Sequence, residues 1–525
     1  MAGIDVAGGG APSLTNQLTN THIFVGDINN EPADVALTLD PNGGTFSLAN
    51  TGVLTMPNAD ATTRGLLTAA DWVTFNNKQN AINDWTTAFS SAVQATSSWS
   101  ATNAAANVNA AIRPKGTGAI LASVPDGTIT GGNARGTNAV DLQLSRNNAN
   151  QVASGNFSVI VGGVNSRVTA NNSFIGAGEA NSISASFATI GGGRSNTISQ
   201  SDATICGGQS NTASGAHSAI LGGQTNTASG QHSFVGSGNL NTASGQYSAV
   251  TGGQSNTASG AGFVGGGRLN SAADKSGVAS GESNSIGALL SFIGAGLSNS
   301  ISGGNNYSFI GAGRGNQVAA QYSVIGGGDS NYNGGSIGVV GGGLDNRNEA
   351  TYSTIVGGYQ GRTNLYGQVS HSSGSYDANT RGQAQAHELI WRRAITGAPV
   401  GGTELFLDGA SVAAILPATN SVWHGIIDVS AICTATGNGT TVTGDVEATS
   451  YKVTIKRIGT NTVLVGTVQE IGTTNADASM STGIFTIDAN NTNESLRIVF
   501  TSPTTAGTTT AFRALAVFRG TQIQY

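Results

Sequence analysis

The chain has 525 residues, a formal net charge of −6, and only 10% charged side chains. It contains 78 glycines, about twice the usual share, whereas its charged fraction is well below the usual value of about 25%. With 38% apolar residues and little net charge, the composition excludes bulk disorder, and the lack of a basic excess argues against nucleic acid as a partner. No apolar run of about 18 residues occurs, so no membrane insertion is expected.

Residues 1–65 contain short strand candidates, namely IFVG, DVALTLD, FSLAN and GVLTM. Glycine, proline and asparagine separate them, as is typical of short strands joined by turns. We interpret this stretch as an N-terminal region of short strands.

Residues 66–112 carry apolar side chains at three- and four-residue spacing, among them Phe75, Ile82, Trp85, Phe89 and Trp99. This spacing predicts a helix, and its length allows a short coiled coil of three chains. An ordinary amphipathic helix on a domain is the alternative. A β-rich connector is predicted over 113–151, where Pro114 would end the helix.

Residues 152–370 are self-similar, with units such as QSNTASGAHSAILGG and QTNTASGQHSFVGSG. An asparagine recurs about every 15 residues from Asn165 to Asn346, and a β-branched residue precedes each glycine cluster from Ile160 to Ile355. A second apolar or small residue follows the asparagine. These two positions predict two short strands per coil, stacked into a parallel β-roll solenoid with a coil spacing of about 4.8 Å.

Glycine and asparagine are expected at the corners of the coil because both accept positive φ cheaply. The asparagines are more typical of turns than of calcium ligands, and they could also stack into side-chain ladders. His217 and His232 lie one repeat apart, at a position otherwise held by Phe187, Tyr247 or Tyr322. That substitution pattern favours a structural stack over a metal pair, so no metal and no cofactor is expected.

A linker is predicted over 371–383 and a C-terminal domain over 384–525. The latter contains alternating strands such as SYKVTIKRIG, TVLVGTVQEIG and FRALAVFRG, which predict an antiparallel β-sandwich of nine strands. Cys206 and Cys433 lie in different segments, and we expect both to be small core residues rather than a disulfide.

Several segments resemble a widespread family of phage tail-fibre and receptor-binding proteins. They are IRPKGTGAILASVPDGTITGGNARGTNAVDLQ, QVASGNFSVIVGG with its repeats, GTELFLDGASVAAILP, and TTRGLLTAADWVTFNNKQN. The repeats also resemble the left-handed β-roll heads of trimeric autotransporter adhesins. The resemblance implies a mainly β, elongated homotrimeric fibre with its N-terminus on the virion tail or a portal-proximal protein. Its distal C-terminal domain would touch a host surface glycan or protein.

Catalytic chemistry is not expected. Glycoside hydrolysis generally needs two carboxylates held together, and the only cluster is Asp329, Asp345 and Glu349, which reads better as solvated corner residues. In the C-terminal domain, Glu404, Asp408, His424 and Asp428 lack any local signature of a catalytic triad, so no catalytic residue is expected among them.

Aromatic side chains on loops commonly carry carbohydrate or protein contacts. The candidate receptor-binding residues are Trp391, Trp423, Tyr451 and Tyr525, with a core or trimer contact as the alternative for each. The sequence therefore predicts a non-enzymatic phage tail fibre of the mature virion, made in the host cytoplasm, that attaches the particle to the host surface. The alternatives are a glycan-degrading tailspike and a capsid or collar fibre.

Overall fold

The computed structural model describes residues 114–524, except 378–379, 398–401, 417–419, 439, 505 and 508, together with Ile112 and five short strands before it. The chain divides into two compact units, Met1–Ile112 and Arg113–Tyr525. Within the described residues, no helix is long and apolar enough to cross a membrane.

In the first unit, β1 (Ala36–Thr38), β2 (Thr45–Leu48) and β3 (Leu54–Thr55) form an antiparallel sheet. Strands β4 (Trp85–Phe89) and β5 (Ser97–Ala101) pair with each other, also antiparallel. The helix predicted across this stretch is wrong at these two strands, because their threonines and serines favour an extended backbone over a helix. The rest of residues 66–111 lies outside the described residues, and the coiled coil is not confirmed.

The second unit begins with a long series of short strands, all but two of them of two residues. They are β6 (Ile120–Leu121), β7 (Val140–Asp141), β8 (Val159–Ile160), β9 (Arg167–Val168), β10 (Phe174–Ile175), β11 (Ser182–Ile183), β12 (Thr189–Ile190), β13 (Thr197–Ile198), β14 (Thr204–Ile205), β15 (Thr212–Ala213), β16 (Ala219–Ile220), β17 (Thr227–Ala228), β18 (Phe234–Val235), β19 (Thr242–Ala243), β20 (Ala249–Val250), β21 (Thr257–Ala258), β22 (Phe263–Val264), β23 (Ser271–Ala272), β24 (Gly277–Val278), β25 (Ser285–Ile286), β26 (Phe292–Ile293), β27 (Ser300–Ile301), β28 (Phe309–Ile310), β29 (Gln317–Val318), β30 (Val324–Ile325), β31 (Tyr332–Asn333), β32 (Val339–Val340), β33 (Arg347–Asn348), β34 (Thr354–Tyr359), β35 (Arg362–Thr363) and β36 (Val369–Gly374).

These strands form two parallel sheets. The first sheet contains β6, β7 and the even-numbered strands from β8 to β36, and the second contains the odd-numbered strands from β9 to β35. Each strand pairs with its equivalent one coil later, so that Ile175 lies opposite Ile190 in the first sheet and Ile183 opposite Ile198 in the second. The predicted parallel solenoid of coils of about 15 residues is confirmed.

The core of the solenoid consists of the two inward positions of each coil. The β-branched residues from Ile160 to Ile355 that precede the glycine clusters are fully buried, and the second positions from Val168 to Val318 are at most 2% exposed. Five consecutive coils have alanine at the second position: Ala213, Ala228, Ala243, Ala258 and Ala272. Each coil therefore buries little apolar surface of its own.

The recurrent asparagines point inward instead of forming the corners. Asn196 donates from Nδ2 to the carbonyl oxygens of Gly192 (3.1 Å) and Gly208 (2.9 Å), and its backbone N–H donates to Asn181 Oδ1 (3.0 Å). The predicted ladder of asparagine side chains is therefore present. The corner role assigned to asparagine is correct at Asn165 (φ 60°). From Asn181 on it is wrong, because positive φ falls on the preceding residue, as at Ser195 (φ 57°), while the amide is used inside the coil.

The C-terminal domain contains longer antiparallel strands. They are β37 (Ala384–Thr396), β38 (Thr403–Glu404), β39 (Ala414–Ile415), β40 (Ser421–Ala435), β41 (Val446–Ile458), β42 (Asn461–Leu464), β43 (Gln469–Ala476), β44 (Ile484–Asn490), β45 (Ser495–Thr501) and β46 (Ala511–Gln524).

Strand β46 lies between β37 and β40, and β41 extends this sheet beyond β40. A smaller sheet is built around β45, which pairs with β38, β39 and β44. Side chains from both sheets form one buried cluster that includes Trp391, Trp423 and Phe500. The larger sheet continues the first sheet of the solenoid, because β36 pairs with β37 and Val369 lies opposite Glu388.

The two cysteines differ in their surroundings. Cys433 is buried, as predicted, and desolvation raises the pKa of its thiol. Cys206 is exposed, so the prediction that it belongs to the core is wrong. It directly follows the inward residue Ile205, and the alternation of an extended backbone turns its side chain outward.

Candidate functional site

One corner of the solenoid carries a row of large exposed side chains, here called the aromatic corner. Each residue precedes a small residue that leads into a strand of the first sheet. The aromatic corner consists of Phe157, Phe187, His217, His232, Tyr247, Tyr307, Tyr322 and Tyr352. Its phenylalanines and tyrosines are 50–62% exposed.

The backbone is strained along the aromatic corner. All eight residues have positive φ, between 54° and 61°. That conformation costs an L-residue about 1–2 kcal/mol, and glycine would avoid the cost. Neighbouring coils hold the backbone in place, since the N–H of Tyr322 donates to the carbonyl oxygen of Asn306 at 3.0 Å. The same φ occurs where this corner carries Asn172, Asp202 or Lys275, so the coil imposes the conformation, and the exposed rings are what distinguishes these eight positions.

The rings stack where consecutive coils each supply one. His217 and His232 have ring centroids 4.8 Å apart with 5° between their planes, and Tyr247 continues the stack 5.2 Å beyond His232. Tyr307 and Tyr322 form a second stack with centroids 4.9 Å apart. The two histidines therefore stack as the sequence predicted. Among the described residues, no group of three histidine, cysteine, aspartate or glutamate side chains could hold a metal ion.

Side-chain amides accompany both stacks. Gln231 and Gln246, each next to a stacked ring in sequence, are joined by a hydrogen bond from Gln246 Nε2 to Gln231 Oε1 (3.3 Å). Gln321, next to Tyr322, donates from Nε2 to the carbonyl oxygen of Gly304 (3.1 Å). Rings flanked by amides provide both apolar surface and hydrogen-bonding groups, a combination that suits a polyhydroxylated ligand.

The carboxylates near the end of the solenoid are paired with arginines. Arg314 Nη2 lies 2.5 Å from Asp329 Oδ2, and Arg381 Nη2 lies 2.5 Å from Asp345 Oδ1. The hydrogen bond from Arg314 lowers the pKa of Asp329.

Glu349 receives bonds from two arginines, with Arg347 Nε 2.5 Å from Oε1 and Arg362 Nη2 2.7 Å from Oε2. Desolvation is the largest single influence on the pKa of Glu349 and raises it, but the hydrogen bonds from both arginines outweigh it, so the pKa is lowered. A lowered pKa suits a base or nucleophile and not a proton donor.

The four polar residues of the C-terminal domain named above, Glu404, Asp408, His424 and Asp428, do not form a catalytic triad. His424 Nδ1 contacts Thr454 Oγ1 at 2.7 Å, whereas Asp428 accepts hydrogen bonds from Ser450 and Arg519. Asp408 accepts three backbone N–H groups of the turn that follows it, which lowers its pKa despite some desolvation. Desolvation raises the pKa of Glu404, which lies on β38.

Two of the four sequence-based candidates for receptor contact belong to the core. Trp391 and Trp423 are fully buried on strands, and Trp423 Nε1 donates to Gln522 Oε1 at 3.0 Å. Of the two roles considered for them, receptor contact and a place in the core, the structure supports the core for both, because each falls on the inward side of its strand. Tyr451 is half-buried, and Tyr525 lies outside the described residues. The aromatic corner was missed as a site, although its recurrence at the repeat period is visible in the sequence.

No family model matches the sequence, and no curated protein matches it. Solved structures that are similar to it include three phage tailspike proteins. The tailspike protein of Acinetobacter phage vB_ApiP_P1 is 11% identical, with a TM-score of 0.22 over 78% of this chain and 80% of that one. The tailspike protein of Acinetobacter baumannii phage AM24 is 9% identical, with a TM-score of 0.19 over 94% of this chain and 92% of that one.

The third structure is the tailspike protein gp49 of Acinetobacter baumannii bacteriophage Fri1, described as a capsular polysaccharide depolymerase. It is 6% identical, with a TM-score of 0.15 over 74% of this chain and 81% of that one. At TM-scores this low, no site or residue role carries over. The prediction that the chain is not an enzyme is nevertheless corrected, because a depolymerase stands among the similar structures and glycan cleavage has to be tested.

Proposed function

We propose that the chain is a phage tail receptor-binding protein of the tailspike kind, which binds a host-surface polysaccharide along the aromatic corner. The observation that carries this proposal is the recurrence of half-exposed rings at one corner of the solenoid, where they form two stacks over consecutive coils. The resemblance of the joined segments to phage fibre and receptor-binding proteins supports the phage context.

A polysaccharide suits this surface because both partners are repetitive. A ring recurs at coil spacing in each stack, and a glycan chain offers a sugar at regular intervals. Each ring contact is weak, but several contacts on one chain, and several chains on one particle, raise the overall affinity. We propose that three copies act together, with residues 1–65 held by the virion and a β-sandwich at 384–525 as the tip.

Cleavage of the bound polysaccharide is the activity that would distinguish a tailspike from a fibre that only adheres. The pKa values of Asp329 and Glu349 are lowered, which suits a base or nucleophile and makes both carboxylates poor proton donors, and Asp345 is paired with Arg381. Incubation of the full chain with purified host capsular polysaccharide, followed by a reducing-end assay, tests this activity. New reducing ends support a tailspike, and their absence despite binding supports an adhesive fibre.

Binding is tested with the double variant Tyr307→Asn plus Tyr322→Asn, because asparagine tolerates positive φ and so keeps the corner geometry. The matched control is Leu240→Asn, a half-exposed residue that also has positive φ (57°) but lies on the other corner of the coil. We expect at least a tenfold weaker Kd for the polysaccharide in the double variant and an unchanged Kd in the control. Equal affinity of both proteins would contradict the proposal.

The aromatic corner does not determine where the N-terminus attaches to the virion, since a capsid or collar fibre could present the same corner. Gold labelling of the N-terminus in intact particles distinguishes these positions from the tail.

A further inference from the structure

The outward sides of the two solenoid sheets differ in chemistry. On the first sheet the outward residues form what we call the apolar stripe: Val159, Phe174, Thr189, Thr204, Ala219, Phe234, Ala249, Phe263, Gly277, Phe292, Phe309, Val324 and Val339. On the second sheet the equivalent residues from Thr197 to Ser300 are all threonine or serine. The solenoid therefore has one apolar and one hydroxylated side.

The apolar stripe is nearly continuous. Phe263, Phe292 and Phe309 are 39–41% exposed, and the rings of Phe292 and Phe309 stack with centroids 6.2 Å apart. At Gly277 a Cβ atom would lie 3.0 Å from Phe292 Cδ2 and 3.8 Å from Phe263 Cδ1. The rings of both neighbouring coils therefore fill the space above this glycine, and the stripe presents one surface without a notch.

The same side continues into the C-terminal domain. Val369, 37% exposed, lies opposite Glu388 in the pairing of β36 with β37, and directly paired residues share one face of a sheet. Further along this face lie Ile390, Ile426 and Leu515, each 41–43% exposed, beside the ion pairs that Arg519 makes with Glu388 and Asp428. A groove of about 800 Å³ between Leu515, Ile432 and Val446 makes that end concave.

We infer that the apolar stripe and its continuation form the contact surface between copies of this chain. A partner has to match the coil spacing over more than ten coils, and an identical chain aligned in parallel does so automatically. Within the solenoid part of the stripe, Thr189 and Thr204 are the members whose side chains can form hydrogen bonds, so this part offers little to a polysaccharide or to water. The number of copies, three, rests on the proposed function, whereas the choice of face rests on the chemistry of the two sheets.

The available area is sufficient. A free phenylalanine side chain offers about 200 Å² of surface, so each ring on the stripe leaves about 80 Å² for a partner. Together with the valines and the exposed C-terminal isoleucines and leucine, the surface reaches roughly the 800 Å² per partner of a stable interface. This burial also compensates for the thin core of the coils that contain only alanine at the second inward position.

The test is the mass of the full chain in solution, by sedimentation equilibrium. The variant Phe263→Glu plus Phe292→Glu places charges two coils apart on the stripe, and Thr242→Glu plus Ser271→Glu places them equally far apart on the hydroxylated side. We expect three times the chain mass of 52.3 kDa for the wild type and the control, and 52.3 kDa for the stripe variant. A wild type of 52.3 kDa, or a folded stripe variant that keeps the wild-type mass, would overturn the inference.

A second measurement covers the case in which the stripe variant does not fold. Phe292→Cys is made in a Cys206→Ser background, because Cys206 is exposed. On mild oxidation we expect a linked dimer on a non-reducing gel, and none from Thr242→Cys in the same background. Dimers from the second variant alone would overturn the inference. A wild type of two copies that depends on the stripe would confirm the face and contradict the number three, and neither outcome affects polysaccharide binding.

Discussion

Asn196 Oδ1 accepts the backbone N–H of Asn211, one coil further along, at a distance of 3.0 Å. Asn211 repeats the arrangement with the N–H of Asn226 at 2.9 Å. Because each side chain bonds both its own coil and the next, the asparagine ladder couples adjacent coils, and the loss of one member should affect its neighbours.

We expect Asn211→Ala to destabilise the adjoining coils by about 2–4 kcal/mol. It removes the donor to the carbonyl oxygens of Gly207 (3.1 Å) and Gly223 (3.0 Å) and leaves the N–H of Asn226 without its acceptor. Solenoids open locally, so the measurement is amide hydrogen exchange. The amide of Asn226 should exchange about 30 to 1,000 times faster in the variant than in the wild type, which corresponds to the expected loss of stability.

The matched control is Asn239→Ala. Asn239 lies on the surface of its coil, and its one side-chain hydrogen bond runs to Gln224 Oε1 at 3.5 Å. We expect a change within about 0.5 kcal/mol. If Asn211→Ala had an equally small effect, the ladder would not stabilise the solenoid.

The repeat made the solenoid predictable. A period of about 15 residues with one aliphatic before each glycine cluster identifies the coil, and the inward residues from Ile160 to Ile355 follow from it. The direction of the other side chains did not follow. A strand of two residues is too short for an alternating pattern that would show which side chains point into the coil. The roles of the asparagines and of Cys206 could therefore not be assigned.

The C-terminal tryptophans were predictable in principle. In β37 the side chains of Leu389 and Trp391 point into the core, whereas those of Ile390 and Arg392 point outward. This alternation is visible in ELIWRR, but apolar residues on both sides of the strand hide it. The positive φ of the aromatic corner could not be predicted, because neighbouring coils impose this conformation against the preference of tyrosine and phenylalanine.

The strain at the aromatic corner makes Tyr322→Gly nearly neutral for stability. Glycine removes the cost of positive φ (56° at Tyr322), about 1 kcal/mol, and the variant loses a stacked ring pair worth a similar amount. Hydrogen exchange at Tyr307 should therefore stay within about fivefold of the wild type.

Gln321→Gly serves as the comparison, because Gln321 is exposed and is not among the residues with positive φ. Glycine there brings only its entropic cost, about 0.5–1 kcal/mol. If Tyr322→Gly destabilised the coil more than this control does, the tyrosine would be a structural residue, and the functional interpretation of the corner would lose its support.

A buried ion pair near the start of the solenoid predicts a large effect for Asp141→Asn. Arg135 Nε lies 2.8 Å from Asp141 Oδ2, with both side chains at most 1% exposed. Removal of the carboxylate leaves a buried guanidinium uncompensated, at a cost of about 3–5 kcal/mol. We expect trypsin to cut newly after Arg135 and Arg146, which mass spectrometry would detect.

The control for this variant is Asp202→Asn, at an exposed position with a φ of 60°. Asparagine tolerates this φ, so no new cleavage is expected. Resistance of the Asp141→Asn protein to trypsin would show that the pair does not hold the first coils closed.

Glu447 predicts a pH dependence of the C-terminal domain. Glu447 is 3% exposed, and its carboxylate packs so closely against Gly483 that a side chain at that glycine would collide with Oε2. This oxygen has no hydrogen-bond partner. Desolvation raises the pKa of Glu447 from 4.5 to about 7. Below pH 4.5 the carboxyl is protonated in both the folded and the unfolded chain. Between pH 4.5 and 7 only the unfolded chain releases the proton, so stability falls by about 3 kcal/mol in total and stays low above pH 7.

Glu447→Gln should remove this loss, so that the variant is the more stable protein at pH 8 and differs little from the wild type at pH 4. Urea unfolding followed by the fluorescence of Trp391 and Trp423, both buried in this domain, measures the difference. Glu179→Gln, an exposed carboxylate of the solenoid, is the control with the same change of charge and should leave the curve unchanged. Parallel pH curves for wild type and Glu447→Gln would mean that the carboxylate is solvated in the folded protein, because only desolvation separates its two pKa values.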